Sequence, residues 1–144
     1  MSVSVFAVFV YGTLKRGECR CRLWPRRPLQ VSEATVRGAL YDLGPYPALV
    51  DGPDRVAGEL WTFRPEDVQP VLQRLDQVEG FYPGAKRNLY ERRVVECQTD
   101  DGRHTPAYCY FLADRRLLVG RRRVSPGRDG VVRWSGRDGA GQRD

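Results

Sequence analysis

Two stretches of this chain combine residue types that could do chemistry: Tyr11-Gly12-Thr13-Leu14-Lys15-Arg16-Gly17 and Leu75-Asp76-Gln77-Val78-Glu79-Gly80. The first follows the apolar run Val5–Val10, so it reads as a glycine turn at the end of a buried strand. Such a turn can aim several backbone N–H groups at one point and make a small anion-binding nest. The same residues would also serve as plain turn chemistry. In the second stretch, Glu79 ends an expected helix, one residue before the glycine that stops it. Unpaired carbonyls there disfavour a carboxylate and should raise its pKa, the condition a general acid/base needs near neutral pH. An ordinary solvated glutamate is the alternative reading of that position.

Other nucleophilic and metal chemistries find few residues. The chain has one histidine, His104, beside an expected turn where it should be solvated. Ser–His and Cys–His arrangements are therefore poorly supported, and any acid/base should be a carboxylate or a tyrosine. Of the four cysteines, Cys19 and Cys21 are spaced C-x-C, while Cys97 and Cys109 fall inside expected strands. This spacing fits neither a zinc site nor a disulfide framework, so reduced thiols and no metal are expected.

The elements that must position these residues follow from periodicity. Residues 3–10 read as the first strand, and 17–30 as a basic loop or short helix. From Glu33 to Tyr41 apolar and polar residues alternate, as in a half-buried strand. Gly44-Pro45-Tyr46-Pro47 breaks it, Ala48-Leu49-Val50 reads as a short edge piece, and 51–54 as a turn. Val56–Phe63 alternates again. A helix opens at Arg64-Pro65-Glu66-Asp67, with Val68, Val71, Leu72 and Leu75 forming one apolar stripe. Pro70 should bend or delay it. Leu89–Gln98 and Thr105–Leu112 read as a hairpin around Thr99–Arg103. One helix cannot cover both faces of five strands. The expected fold is therefore α+β: a small mixed β-barrel of five to six strands with one or two packed helices.

The 144 residues suit one domain, and 41% of them are hydrophobic, with no run long enough to span a bilayer. The N-terminus shows no basic segment or cleavage site, so a cytoplasmic protein without membrane partners is expected. The formal net charge of +6 is unevenly placed. Residues 115–144 carry nine Arg and three Asp, so the first 114 residues sum to zero. A folded domain over 1–114 and a partly disordered Arg/Gly-rich tail over 115–144 are expected, with Trp134 as the residue able to dock on the body. Nucleic acid is expected only as a non-specific contact of that tail. The oligomeric state is left open.

The two opening stretches, together with Leu43-Gly44-Pro45-Tyr46-Pro47-Ala48-Leu49-Val50, Gly58-Glu59-Leu60-Trp61, Tyr90-x-Arg92 and Ala107-Tyr108-Cys109-Tyr110, resemble the γ-glutamyl cyclotransferase-like superfamily. The similarity is greatest to its small branch that includes γ-glutamylamine cyclotransferase, and it spans roughly residues 5–112. The resemblance implies a small mixed barrel. It also implies substrate binding by Tyr11, Gly12, Thr13 and Leu14, with Tyr90 and Tyr110 in the cavity, and Glu79 as the catalytic acid/base. The implied reaction needs no cofactor. The α-amino nitrogen of a γ-glutamyl amine, amide or peptide attacks its own γ-carbonyl, releasing 5-oxoproline and a free amine. Arg20 departs from the pattern, standing where many members carry Asn. A non-catalytic small-ligand-binding domain of the same fold, with a basic partner-docking tail, is the alternative.

Overall fold

The computed structural model describes residues 4–134. Its strands are β1 (Ala7–Val10), β2 (Gln30–Asp42), β3 (Pro47–Thr62), β4 (Tyr90–Thr99), β5 (His104–Leu112), β6 (Arg122–Arg123) and β7 (Val131–Val132), with one α-helix, α1 (Pro65–Glu79), between β3 and β4. The sheet order is β6-β2-β4-β5-β1-β3-β7, and a further β2–β3 pairing closes β1 to β5 into a five-stranded barrel. Within the barrel only β1–β5 is parallel. The expected mixed barrel with a packed helix is thus the observed fold.

β1 is buried on both faces, which explains its unbroken apolar sequence. Ala7, Phe9 and Tyr11 join a cluster formed by strand residues such as Val36, Leu49, Val56, Cys97 and Cys109, together with Val132 and Trp134. Val8 and Val10 face the other way, into a second cluster with Phe63, Val71, Leu72 and Leu75. The helix stripe therefore packs on one face of β1 while the barrel interior fills the other. Gly58 permits the close approach of β1 and β3. A Cβ there would lie 2.3 Å from the Val10 carbonyl oxygen.

Several local expectations change. Ala48–Val50 is not a separate edge piece, and 51–54 does not divide two strands. Both belong to β3, which pairs with β2 from Gln30↔Thr62 to Asp42↔Pro47. The register jumps from Gly38↔Asp54 to Ala39↔Val50, so the turn-like residues 51–53 form an irregularity inside one long strand. Gly52 supplies its close packing, because a Cβ would lie 2.6 Å from that of Ala39. α1 is not delayed by Pro70, which sits inside it. The proline ring removes one hydrogen bond near the helix start, while four buried side chains, Val68, Val71, Leu72 and Leu75, hold the helix on the barrel.

The chain beyond Asp114 stays on the barrel through residue 134. A short 3₁₀ turn at Arg115–Leu118 leads to β6, which pairs with β2. β7 then pairs in parallel with β3. Val132 and Trp134 are buried. The boundary expected at Asp114 omits these contacts, since the Arg-rich composition hides the few apolar residues that make them. Several of the arginines pair with acids, Arg122 with Asp42, Arg123 with Asp54 and Arg133 with Asp129. The expectation of disorder over 135–144 lies outside the described residues.

Candidate active site

The loop after β1 is built from both sides. Glu59, buried beside β1, accepts hydrogen bonds from the Arg16 amide at 2.9 Å, from Arg16 Nε at 3.1 Å and from Trp61 Nε1 at 3.1 Å. Trp24 stacks on Trp61 with ring centroids 4.2 Å apart and donates from Nε1 to the Leu14 carbonyl. Lys15 Nζ donates to the Trp134 carbonyl. The carbonyls of Gly12 and Thr13 accept from the amides of Lys15 and Arg20. Among the described residues, the N–H groups of Gly12, Thr13 and Leu14 donate to no protein acceptor, which leaves them available to an anion.

Gly12 has a negative φ, so its turn does not need glycine for left-handed backbone; Gly17, with φ 81°, does. Gly12 is required for space. A Cβ there would lie 2.7 Å from Cγ and 2.8 Å from Cδ of Pro47. Gly12→Ala must therefore displace the loop from Pro47. We expect about 1–3 kcal/mol of destabilisation, the scale of overpacking, with weakened ligand binding, measured by thermal melting and calorimetry. An unchanged melting temperature and affinity would show that the loop yields without cost.

A cavity of about 200 Å³ opens over this loop. Tyr11, Gly12, Thr13, Leu14, Glu79, Tyr90 and Tyr110 all line it, so the structure brings together every site residue expected from the sequence. Arg20, Tyr46 and Pro47 also line it. The tyrosine hydroxyls are tied to the frame. Tyr11 donates to the Tyr110 carbonyl at 2.6 Å, Tyr90 to the Pro47 carbonyl at 2.8 Å, and Tyr110 to Asp76 Oδ1 at 2.6 Å. Burial raises all three above the ordinary tyrosine range, which keeps them neutral. Their oxygens can still accept from a ligand.

Glu79 is half-buried at the end of α1. Burial pushes its carboxyl from the ordinary 4.5 up to about 7, while the charge of Arg20 pulls it down. The direction matches the sequence expectation, but the cause differs. Gly80 caps the helix in the left-handed conformation, and the carbonyls of Asp76 and Gln77 accept from Phe81 and Gly80. Those carbonyls are paired, so desolvation drives the shift. One turn earlier, Asp76 binds Arg92 Nη1 at 2.6 Å as well as the Tyr110 hydroxyl, which fastens the helix end to β4 and β5.

Site identification from sequence missed Arg20, Glu59 and Asp76. Glu59 and Asp76 stood within the motifs quoted above, and Asp76 precedes Glu79 by three residues, one helical turn. Of the cysteines, Cys97 and Cys109 are buried and all four are free. Cys97 pairs in register with Thr105, next to His104, as the hairpin predicts. His104 is exposed and contacts Glu96. Among the described residues, no group of three or more His, Cys, Asp or Glu is placed to hold a metal, and no helix is long and apolar enough to cross a membrane.

The protein is thus a small closed mixed barrel whose cavity is lined by a half-buried glutamate and a glycine loop. The chain belongs to the family of AIG2-like γ-glutamyl cyclotransferases, whose model matches residues 8–129. It is 36% identical over 96 residues to γ-L-glutamyl-butirosin B γ-glutamyl cyclotransferase of Niallia circulans, covering 65% of this chain and 58% of that protein. The match therefore spans little more than half of that relative. Over 94 residues it is 42% identical to a Vibrio cholerae protein provisionally named a γ-glutamylcyclotransferase, covering 58% of this chain and 81% of that one. A mouse AIG2-like protein shares the fold at a TM-score of 0.58 and 22% identity, covering 81% of this chain and 84% of that one.

Proposed function

We propose that this chain converts a γ-glutamyl amine, amide or peptide into 5-oxoproline and a free amine, with Glu79 as the acid/base. The observation that carries this reading is the placement of Glu79, its pKa raised to about 7, in one cavity with the unpaired amides of Gly12, Thr13 and Leu14.

The loop amides receive the substrate α-carboxylate, which leaves the α-amino group free to fold back on the γ-carbonyl. That amino group has a pKa of roughly 8 and is mostly protonated at neutral pH. Ionised Glu79 takes a proton from it. The nitrogen then forms a bond to the γ-carbon, and the original γ-carbon–nitrogen bond breaks. Protonated Glu79 gives that proton to the leaving nitrogen, and the second proton of the ring nitrogen follows through the same carboxylate, so the amine departs as its ammonium ion, the lactam keeps one N–H and Glu79 is ionised again. The nucleophile belongs to the substrate, so the protein contributes orientation and proton transfer. The named activity of the Niallia circulans relative supports the γ-glutamyl class of substrate.

A panel of γ-glutamyl amines, amides and peptides incubated with the protein should yield 5-oxoproline and an equimolar amount of amine from at least one member. If no compound yields product while several bind in the cavity, the protein is a ligand-binding domain of this fold.

A further inference from the structure

This inference rests on the cyclotransferase reading and concerns the leaving group. The cavity is lined by one acidic residue, Glu79, and one basic residue, Arg20. The Arg20 backbone is fixed beside the substrate loop, its N–H donating to the Thr13 carbonyl at 2.8 Å and its carbonyl accepting from the Leu23 amide at 3.0 Å. Among the described residues no carboxylate forms an ion pair with Arg20. Arg20 lines the same cavity as Glu79 and Tyr90, and its charge acts on both.

We propose that Arg20 recognises a carboxylate on the departing half of the substrate, so that this chain favours γ-glutamyl amino acids over γ-glutamyl amines that lack a carboxylate. The γ-glutamyl half carries one carboxylate, for which the amides of Gly12–Leu14 suffice, and one amino group, which belongs beside Glu79. Arg20 is then a cation with no duty toward that half. In an α-amino acid leaving group the carboxylate carbon is two bonds from the scissile nitrogen. When that nitrogen lies against Glu79, the carboxylate falls within the small cavity that Arg20 also lines. A guanidinium binds such a planar anion with two parallel donors. A cationic leaving group would meet like charge at the same place.

γ-Glutamyl-alanine and γ-glutamyl-ethylamine differ only by this carboxylate and provide the test. Their kcat/KM values for 5-oxoproline release are compared in the wild-type protein, Arg20→Gln and Arg20→Lys. Their dissociation constants are measured on Glu79→Gln with and without Arg20→Gln. The wild-type protein should prefer the alanine compound by roughly 10- to 100-fold, the scale of a charge-assisted hydrogen bond. Arg20→Gln should bring the ratio near one, and Arg20→Lys should keep part of it. A ratio near one in the wild-type protein, or an unchanged ratio in Arg20→Gln, overturns the assignment. Equal loss on both compounds also overturns it, because Arg20 would then serve the γ-glutamyl half. The binding arm separates the two claims. An Arg20-dependent preference in binding without any 5-oxoproline release would retain this proposal and remove the catalytic reading. Release without preference would do the reverse.

Discussion

Glu79→Gln should lower 5-oxoproline release by roughly 100-fold or more, the usual scale for losing a general acid/base. The amide preserves the shape of the side chain and the cavity wall, so ligand affinity should change far less than turnover. Such a split is expected when a group acts mainly in the transition state. The same substitution should alter stability in a pH-dependent way. The carboxyl titrates at about 7 in the folded protein against an ordinary 4.5. Between these values the folded state holds the extra proton, so this group's contribution to stability falls as pH rises through the interval. Glu79→Gln removes that loss. It should stabilise the protein by about 1–3 kcal/mol at pH 8 and have little effect near pH 4. Melting curves at both pH values test the sign; destabilisation at pH 8 would show that ionised Glu79 is welcomed by its surroundings.

The second large effect concerns the chain after Asp114. Trp134→Ala should cost about 3–5 kcal/mol, as for other large aromatic truncations in cores. Removal of residues 115–144 deletes Trp134, Val132 and the β7–β3 pairing together, and total stability for a domain is only about 5–15 kcal/mol. The shortened chain should therefore be largely unfolded at 37 °C. It should also lose the site, because Trp134 holds Lys15 and packs near Gly12. A shortened chain with cooperative melting and full ligand binding would restore the boundary at Asp114.

Much of this architecture was legible because its signals are local. The apolar run before Tyr11, the stripe Val68–Leu75 and the turn Thr99–Arg103 each need only their own neighbours to identify them. Five of the seven expected site residues were legible in the same way, while Tyr90 and Tyr110 came from the family resemblance alone. Tyr11–Leu14 and Glu79 sit at element ends, where glycine marks the boundary. What was hidden depends on partners distant in sequence. Asp51-Gly52-Pro53 has turn composition, and only its pairing against β2 makes it an irregularity inside one strand. Trp134 stands out as able to dock on the body, but Val131 and Val132 stand among arginines and glycines, with no pattern nearby that signals a strand. Arg20 reads as one more arginine in a basic loop until the fold sets it in one cavity with Glu79.

The most direct test of the central claim is the pH dependence of single-turnover 5-oxoproline formation at saturating substrate, in the wild-type protein and in Glu79→Gln. The wild-type rate should rise with pH through a group titrating near 7, as Glu79 becomes the base, shifted by whatever the bound substrate contributes. That limb should be absent from the residual rate of Glu79→Gln. The same limb and a similar rate in both proteins would contradict the assignment of Glu79 as the acid/base.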